Sequence, residues 1–98
     1  RISYKLNLNG PSLSVGTYCS TSAVAIHLAC QSLRSGESDM ALAGGVSLRA
    51  PHRLGYLFEP NDQGSPDGRT RTFDAQARGT VFGNGMGVVA LKRKRPKP

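Results

Sequence analysis

The chain has 98 residues, 38% of them hydrophobic, with 12 glycines, 6 prolines and a formal net charge of +7. That length allows at most one small domain with a marginal core, and the composition is loop-rich rather than that of a disordered segment. No apolar run approaches the ~18 residues of a membrane span, so no transmembrane segment is expected.

The chain opens Arg1-Ile2-Ser3-Tyr4-Lys5, without an initiating Met or a signal-peptide pattern, and reads as the interior of something longer. Residues 2–9 alternate loosely between apolar and polar, compatible with a short strand or the end of a helix. Asn9-Gly10-Pro11 is a turn signal. Residues 12–17 set Leu13 and Val15 among small polar residues, the pattern of a short strand. Ser20-Thr21-Ser22 supplies N-cap candidates for a helix running from Ala23 through Leu33, with Arg34 in its last turn and Gly36 as a left-handed C-cap. The helix is apolar on most sides, which predicts burial. Beyond Glu37-Ser38-Asp39, residues 40–48 read as a buried strand whose paired Gly44 and Gly45 imply a second backbone close by. Strand, helix and strand make one βαβ unit with parallel pairing. Residues 50–71 are broken by Pro51, Pro60, Gly64, Pro66 and Asp67-Gly68 into a long loop, a length often functional. Gly83, Gly85 and Gly87 then lead into Val88-Val89-Ala90-Leu91, read as a buried strand.

Charge is concentrated at the end. Lys92, Arg93, Lys94, Arg95 and Lys97 are five of the 13 basic residues; the other eight face 6 acidic ones. The body is nearly neutral and the tail, 94–98, is read as a solvated basic end, without the aromatic residues or motifs of a nucleic-acid binder.

Cys19 lies where strand gives way to helix. Backbone N–H groups at a helix start lack intrahelical partners and carry partial positive charge, which favours thiolate over thiol. A sharp strand-to-helix turn also exposes its side chain, and the same N–H groups can donate to an oxyanion formed at a thioester carbonyl. From position alone Cys19 is either an acyl-carrying nucleophile or a small buried residue. Cys30, well inside the apolar helix, is read as core. A helix separates the two cysteines by about 16 Å, beyond the ~7 Å a disulfide spans. With His27 and His52 off zinc spacing, no metal site is expected, and a reducing, cytoplasmic setting fits best.

The run Gly16-Thr17-Tyr18-Cys19-Ser20-Thr21-Ser22-Ala23-Val24-Ala25-Ile26-His27-Leu28-Ala29-Cys30-Gln31-Ser32-Leu33 closely resembles the active-site segment of modular type I polyketide-synthase ketosynthases. The resemblance continues through residues 36–46, Ser65-Pro66-Asp67-Gly68, Phe73-Asp74-Ala75 and residues 79–89, and covers about 1–93 in order and spacing. It implies an α/β chain that is a fragment of a thiolase-like layered αβαβα fold: 1–93 as the N-terminal-half, active-site cysteine region, followed by the tail. The complete domain would perform decarboxylative Claisen condensation. Cys19 would take an acyl group from an acyl-carrier protein as a thioester, with its backbone N–H in the oxyanion hole, until a malonyl-type extender attacks. Retention of Cys19 speaks against the decarboxylating loading variants. The resemblance implies phosphopantetheine carried by the partner, no directly bound cofactor or metal, a homodimer in the complete domain, and no nucleic-acid or membrane partner.

Two departures stand beside the nucleophile: Gly16 replaces a frequent Asp or Gln, and Tyr18 a small residue. The family's two catalytic histidines belong to later motifs, so both are absent from this chain. His27 lies about 12 Å along the helix from Cys19, too far to act as its base, and is read as a core or interface residue. His52 lies in the loop. This chain by itself is therefore not expected to condense. A fatty-acid-type β-ketoacyl synthase is the nearest alternative, disfavoured by the Cys-Ser-Thr-Ser and Ser-Pro-Asp-Gly runs; a non-enzymatic basic binding fragment rests on the tail alone. Gly83-Asn84-Gly85-Met86-Gly87 lacks the third glycine of a dinucleotide site and precedes a strand, so close backbone packing is the expected role of these glycines. Asp67, Asp74, Arg69 and Arg71 are read as loop-ordering or solvated charges.

Overall fold

A computed structural model describes residues 1–51 and 55–95; His52 and the last three residues of the tail fall outside them. The elements run α1 (Ile2–Lys5), a 3-10 turn (Tyr18–Ser20), α2 (Thr21–Arg34), β1 (Met40–Ser47) and β2 (Gly85–Lys92). They gather into two units, Arg1–Gly45 with the chain from Met86 onward, and Val46–Gly85.

Both helices of the first unit end in the same way. At α2 the Gly36 N–H donates to Leu33 O (3.3 Å) and the Glu37 N–H to Ser32 O (3.0 Å), with Gly36 at φ +80°. At α1 the Asn7 N–H donates to Tyr4 O (3.3 Å) and the Leu8 N–H to Ser3 O (2.8 Å), with Asn7 at φ +53°. These are Schellman motifs, in which a left-handed residue turns the chain so that orphan carbonyls find donors. The left-handed cap expected at Gly36 is present, and residues 2–5 take the helical alternative.

β1 and β2 form a two-stranded sheet. Asp39, just before β1, accepts from Nη2 of Arg93, just after β2, at 2.9 Å. Farther along, a Cβ on Gly44 would collide with the Gly87 carbonyl and come within 2.9 Å of Val88 Cα. Numbers rise on one strand as they fall on the other, so the pair is antiparallel. Gly44 is required here by the neighbouring backbone, as its pairing with Gly45 implied. Gly45 in turn brings β1 against the head of α2, where a Cβ would lie 3.1 Å from Ser22 Cβ. Arg93 ties the other end of α2, donating through Nη1 to Leu33 O and Ser38 O.

Three expectations are corrected. Residues 12–17 form no strand among the described residues, since they have no hydrogen-bonded neighbour there; the parallel βαβ pairing is therefore not formed, and β1 pairs with β2 alone. Neither strand nor the helix is buried through its length. The buried apolar side chains among the described residues are Leu33 (4% exposed) and Ala43 (6%), since burying a strand takes covering layers on both faces. Finally, a Cβ on Gly83, Gly85 or Gly87 would meet nothing within 4 Å. The close packing at Gly87 involves its carbonyl, approached from Gly44, rather than its lack of a side chain.

The second unit is organised by a parallel bridge between Gly64 and Thr80, with the Ser65 N–H donating to Thr80 O and the Thr80 N–H to Gln63 O, both at 2.9 Å. Ser65 is fully buried. Its hydroxyl donates to Asp67 Oδ1 (2.8 Å) and accepts from the Arg69 N–H (3.1 Å), while Tyr56 Oη donates to its carbonyl. Asp67 Oδ2 pairs with Arg71 at 2.8 Å. The Arg71 guanidinium, then the Ser65 hydroxyl, hold the Asp67 carboxyl well below the usual carboxylate range. Asp74 Oδ1 accepts the Gln76 N–H at 2.7 Å. Asp67, Arg71 and Asp74 thus order the loop, one of the two roles expected of these charges, while Arg69 takes part through its backbone N–H.

Candidate active site

Cys19 is the middle residue of the 3-10 turn and is exposed. The turn is built from hydroxyls. Ser20 is the N-cap residue of α2 by position, but its side chain makes no cap hydrogen bond. It turns back instead, donating to Thr17 O at 2.9 Å and lying 2.9 Å from Thr17 Oγ1. Ser20 is one of three cap candidates with Thr21 and Ser22; in the 3-10 turn its hydroxyl binds Thr17 O rather than an N–H of α2. The first-turn N–H groups of α2 thus remain without a cap from Ser20, next to the cysteine.

Tyr18 adopts φ +57°, a left-handed conformation that costs a non-glycine residue about 1–3 kcal/mol, and its ring is 96% exposed. The strain sits one residue before the cysteine, where the chain turns into the helix. Nothing in the sequence signals it, because turn chemistry favours Gly, Asn or Asp at such an angle. Thr21 Oγ1 accepts the Thr17 N–H (3.0 Å) and donates to Tyr18 O (2.8 Å), a role sequence inspection missed by treating Thr21 as a cap candidate.

His27 is exposed on α2, so the core half of its expected role does not hold. Cys30 is half-buried rather than core, and both cysteines are free. The glycine run 83–87 leads into β2 and so presents no helix N-terminus to a phosphate.

A cysteine exposed on a tight turn feeding a helix, with a glycine-bearing strand against the head of that helix, is an arrangement that presents a nucleophile at a helix N-terminus. The family described as "Beta-ketoacyl synthase, N-terminal domain" matches residues 1–97, and the chain belongs to that family. It is 60% identical over 92 residues to a phenolphthiocerol/phthiocerol polyketide synthase polypeptide of Mycobacterium tuberculosis, covering 94% of this chain and 6% of that protein. It superposes with a TM-score of 0.85 and 43% identity on ketosynthase twelve of the bacillaene polyketide synthase of Bacillus amyloliquefaciens, covering 93% of this chain and 16% of that one. The ketosynthase from module 1 of the bacillaene synthase of the same species gives a TM-score of 0.79 at 44% identity over the same shares. The chain thus spans a small part of the length of each relative. The expected α/β fold and the ketosynthase resemblance both hold.

Proposed function

We propose that this chain supplies the nucleophile segment of a polyketide-synthase ketosynthase, with Cys19 as the acyl carrier. The observation that carries the reading is the exposure of Cys19 on a strained 3-10 turn whose following serine leaves the head of α2 uncapped. In the first half-reaction the Cys19 sulfur attacks the carbonyl of an acyl thioester borne by a carrier protein's phosphopantetheine arm. A new C–S bond forms at Cys19 and the pantetheine thiol leaves. The tetrahedral oxyanion accepts from N–H groups of the turn, among them that of Cys19. In the second half-reaction a malonyl-type extender loses CO2, and the resulting carbanion attacks the Cys19 thioester. A C–C bond forms and the Cys19 thiolate is released.

Decarboxylation requires groups that stabilise the enolate. His27, exposed on α2 and two turns beyond the cysteine, is not assigned that role; histidines from other segments of the synthase are. The same reading makes the working enzyme a cytoplasmic homodimer whose partner is an acyl-carrier protein, with no cofactor of its own and neither nucleic acid nor membrane as partner. Among the described residues no helix is long and apolar enough to cross a membrane.

The test is acylation. In the full-length synthase containing this chain, a short acyl-pantetheine thioester leaves its acyl group on the Cys19 peptide, read by mass spectrometry, and Cys19→Ala abolishes the adduct. Acylation that persists in C19A, or that falls on Cys30, defeats the reading.

A further inference from the structure

Thr21 stands two residues after Cys19, yet its hydroxyl reaches back past the cysteine. It accepts the Thr17 N–H at 3.0 Å and donates to the Tyr18 carbonyl at 2.8 Å. The two contacts bracket Tyr18, at φ +57°, a conformation a tyrosine leaves unless its surroundings hold it. The Ser20 hydroxyl binds Thr17 O and Oγ1, so it holds the Thr17–Tyr18 peptide, whereas Thr21 holds the Tyr18–Cys19 peptide that leads into the cysteine. If Tyr18 relaxed to negative φ, the peptide plane leading into Cys19 would rotate, carrying the cysteine N–H and sulfur with it.

We propose that Thr21 is a positioning residue for Cys19, its hydroxyl locking Tyr18 in the left-handed conformation that aims the sulfur and N–H of Cys19 outward at the head of α2. The inference rests on the reading of Cys19 as nucleophile. Valine matches threonine in shape but offers neither donor nor acceptor, leaving the Thr17 N–H and Tyr18 carbonyl without their side-chain partner. Serine keeps the hydroxyl. Glycine at 18 takes a positive φ without steric cost, so it lessens the need for a lock.

The experiment follows alkylation of both cysteines by iodoacetamide in the full-length synthase, by mass spectrometry, with Cys30 as the internal reference. Thr21→Val slows Cys19 about tenfold and leaves Cys30 unchanged. Thr21→Ser brings the rate back toward that of the native protein, and Tyr18→Gly added to Thr21→Val recovers part of the loss. An unchanged Cys19 rate in T21V, or T21S as slow as T21V, overturns the proposal. So does a parallel change at both cysteines, which would make Thr21 a structural residue only. If native Cys19 reacts no faster than Cys30, the nucleophile reading itself fails; a fast Cys19 indifferent to T21V defeats only the role of Thr21.

Discussion

Gly79 and Gly16 make opposite demands on a side chain. Gly79 has φ +75°, and a Cβ there would lie 2.6 Å from Gly64 O, against the bridge that organises the second unit. Gly79→Ala should therefore cost at least about 1–3 kcal/mol, seen as a lower denaturant midpoint and loss of hydrogen-exchange protection at the Thr80 amide. Gly16 has nothing within 4 Å of a Cβ added there and no left-handed φ. Gly16→Asp should change stability by no more than about 0.5 kcal/mol; a larger loss in a melting experiment would show a contact the open space does not suggest. Asp67 sets a pH dependence. Its carboxyl is held low by Arg71 and then by the Ser65 hydroxyl, so the cluster's contribution is fully present above the ordinary carboxylate value of about 3.9. It is lost as pH falls through the lower folded value. A carboxyl NMR titration should find the Asp67 midpoint below the usual value of about 3.9; a midpoint at that value would contradict the geometry.

At the scale of elements, α2 was legible from its residues. The apolar run, Arg34 and Gly36 fixed its extent to within two residues at the N-terminus, and its Schellman end forms as the glycine required. The link between that end and the sheet was not legible, because it joins residues about 60 positions apart. Arg93, read in the sequence as one of a basic run, donates to Leu33 O and Ser38 O and pairs with Asp39. The guanidinium is 43% exposed and Asp39 95% exposed, so the ion pair itself contributes little; the carbonyl contacts matter more. Arg93→Met should cost roughly 1 kcal/mol and Asp39→Asn under about 0.5 kcal/mol, by chemical denaturation of each variant. Arg93→Lys should not restore stability, since a point-like ammonium cannot span the carbonyls that the planar fork reaches. Equal stability of R93K and the native chain would show that charge alone is sufficient.

For the molecule as a whole, the accessible surface is 8871 Å² for 10.4 kDa. A folded monomer of that mass exposes about 5,400 Å², and even two separate bodies of half the mass about 6,500 Å². The excess is apolar in part, with Met86, Val88 and Val89 on β2 and Leu42 and Val46 on β1 all exposed. The solved ketosynthases carry the same backbone as 16% of longer chains. The 98 residues produced alone should therefore melt broadly and bind an apolar dye such as ANS. A sharp cooperative transition without dye binding would show that the chain holds its fold unaided.

Residue order carried what short-range chemistry decides: the helix and its glycine end, the presence of both later strands, the ordering charges of the loop, and the cysteine at a turn-to-helix junction within a ketosynthase-like order of motifs. Those signals lie within a few residues of one another, where propensity and capping dominate. The remainder was settled by folding. β1 paired antiparallel with β2 while the parallel βαβ pair did not form, and Arg93 was drawn back to the end of α2. At the site Ser20 turned away from capping, Tyr18 was forced left-handed and the Thr21 hydroxyl was set across it. Each of these depends on which polar group finds a partner once the chain is folded, and that competition leaves no mark in the order of residue types.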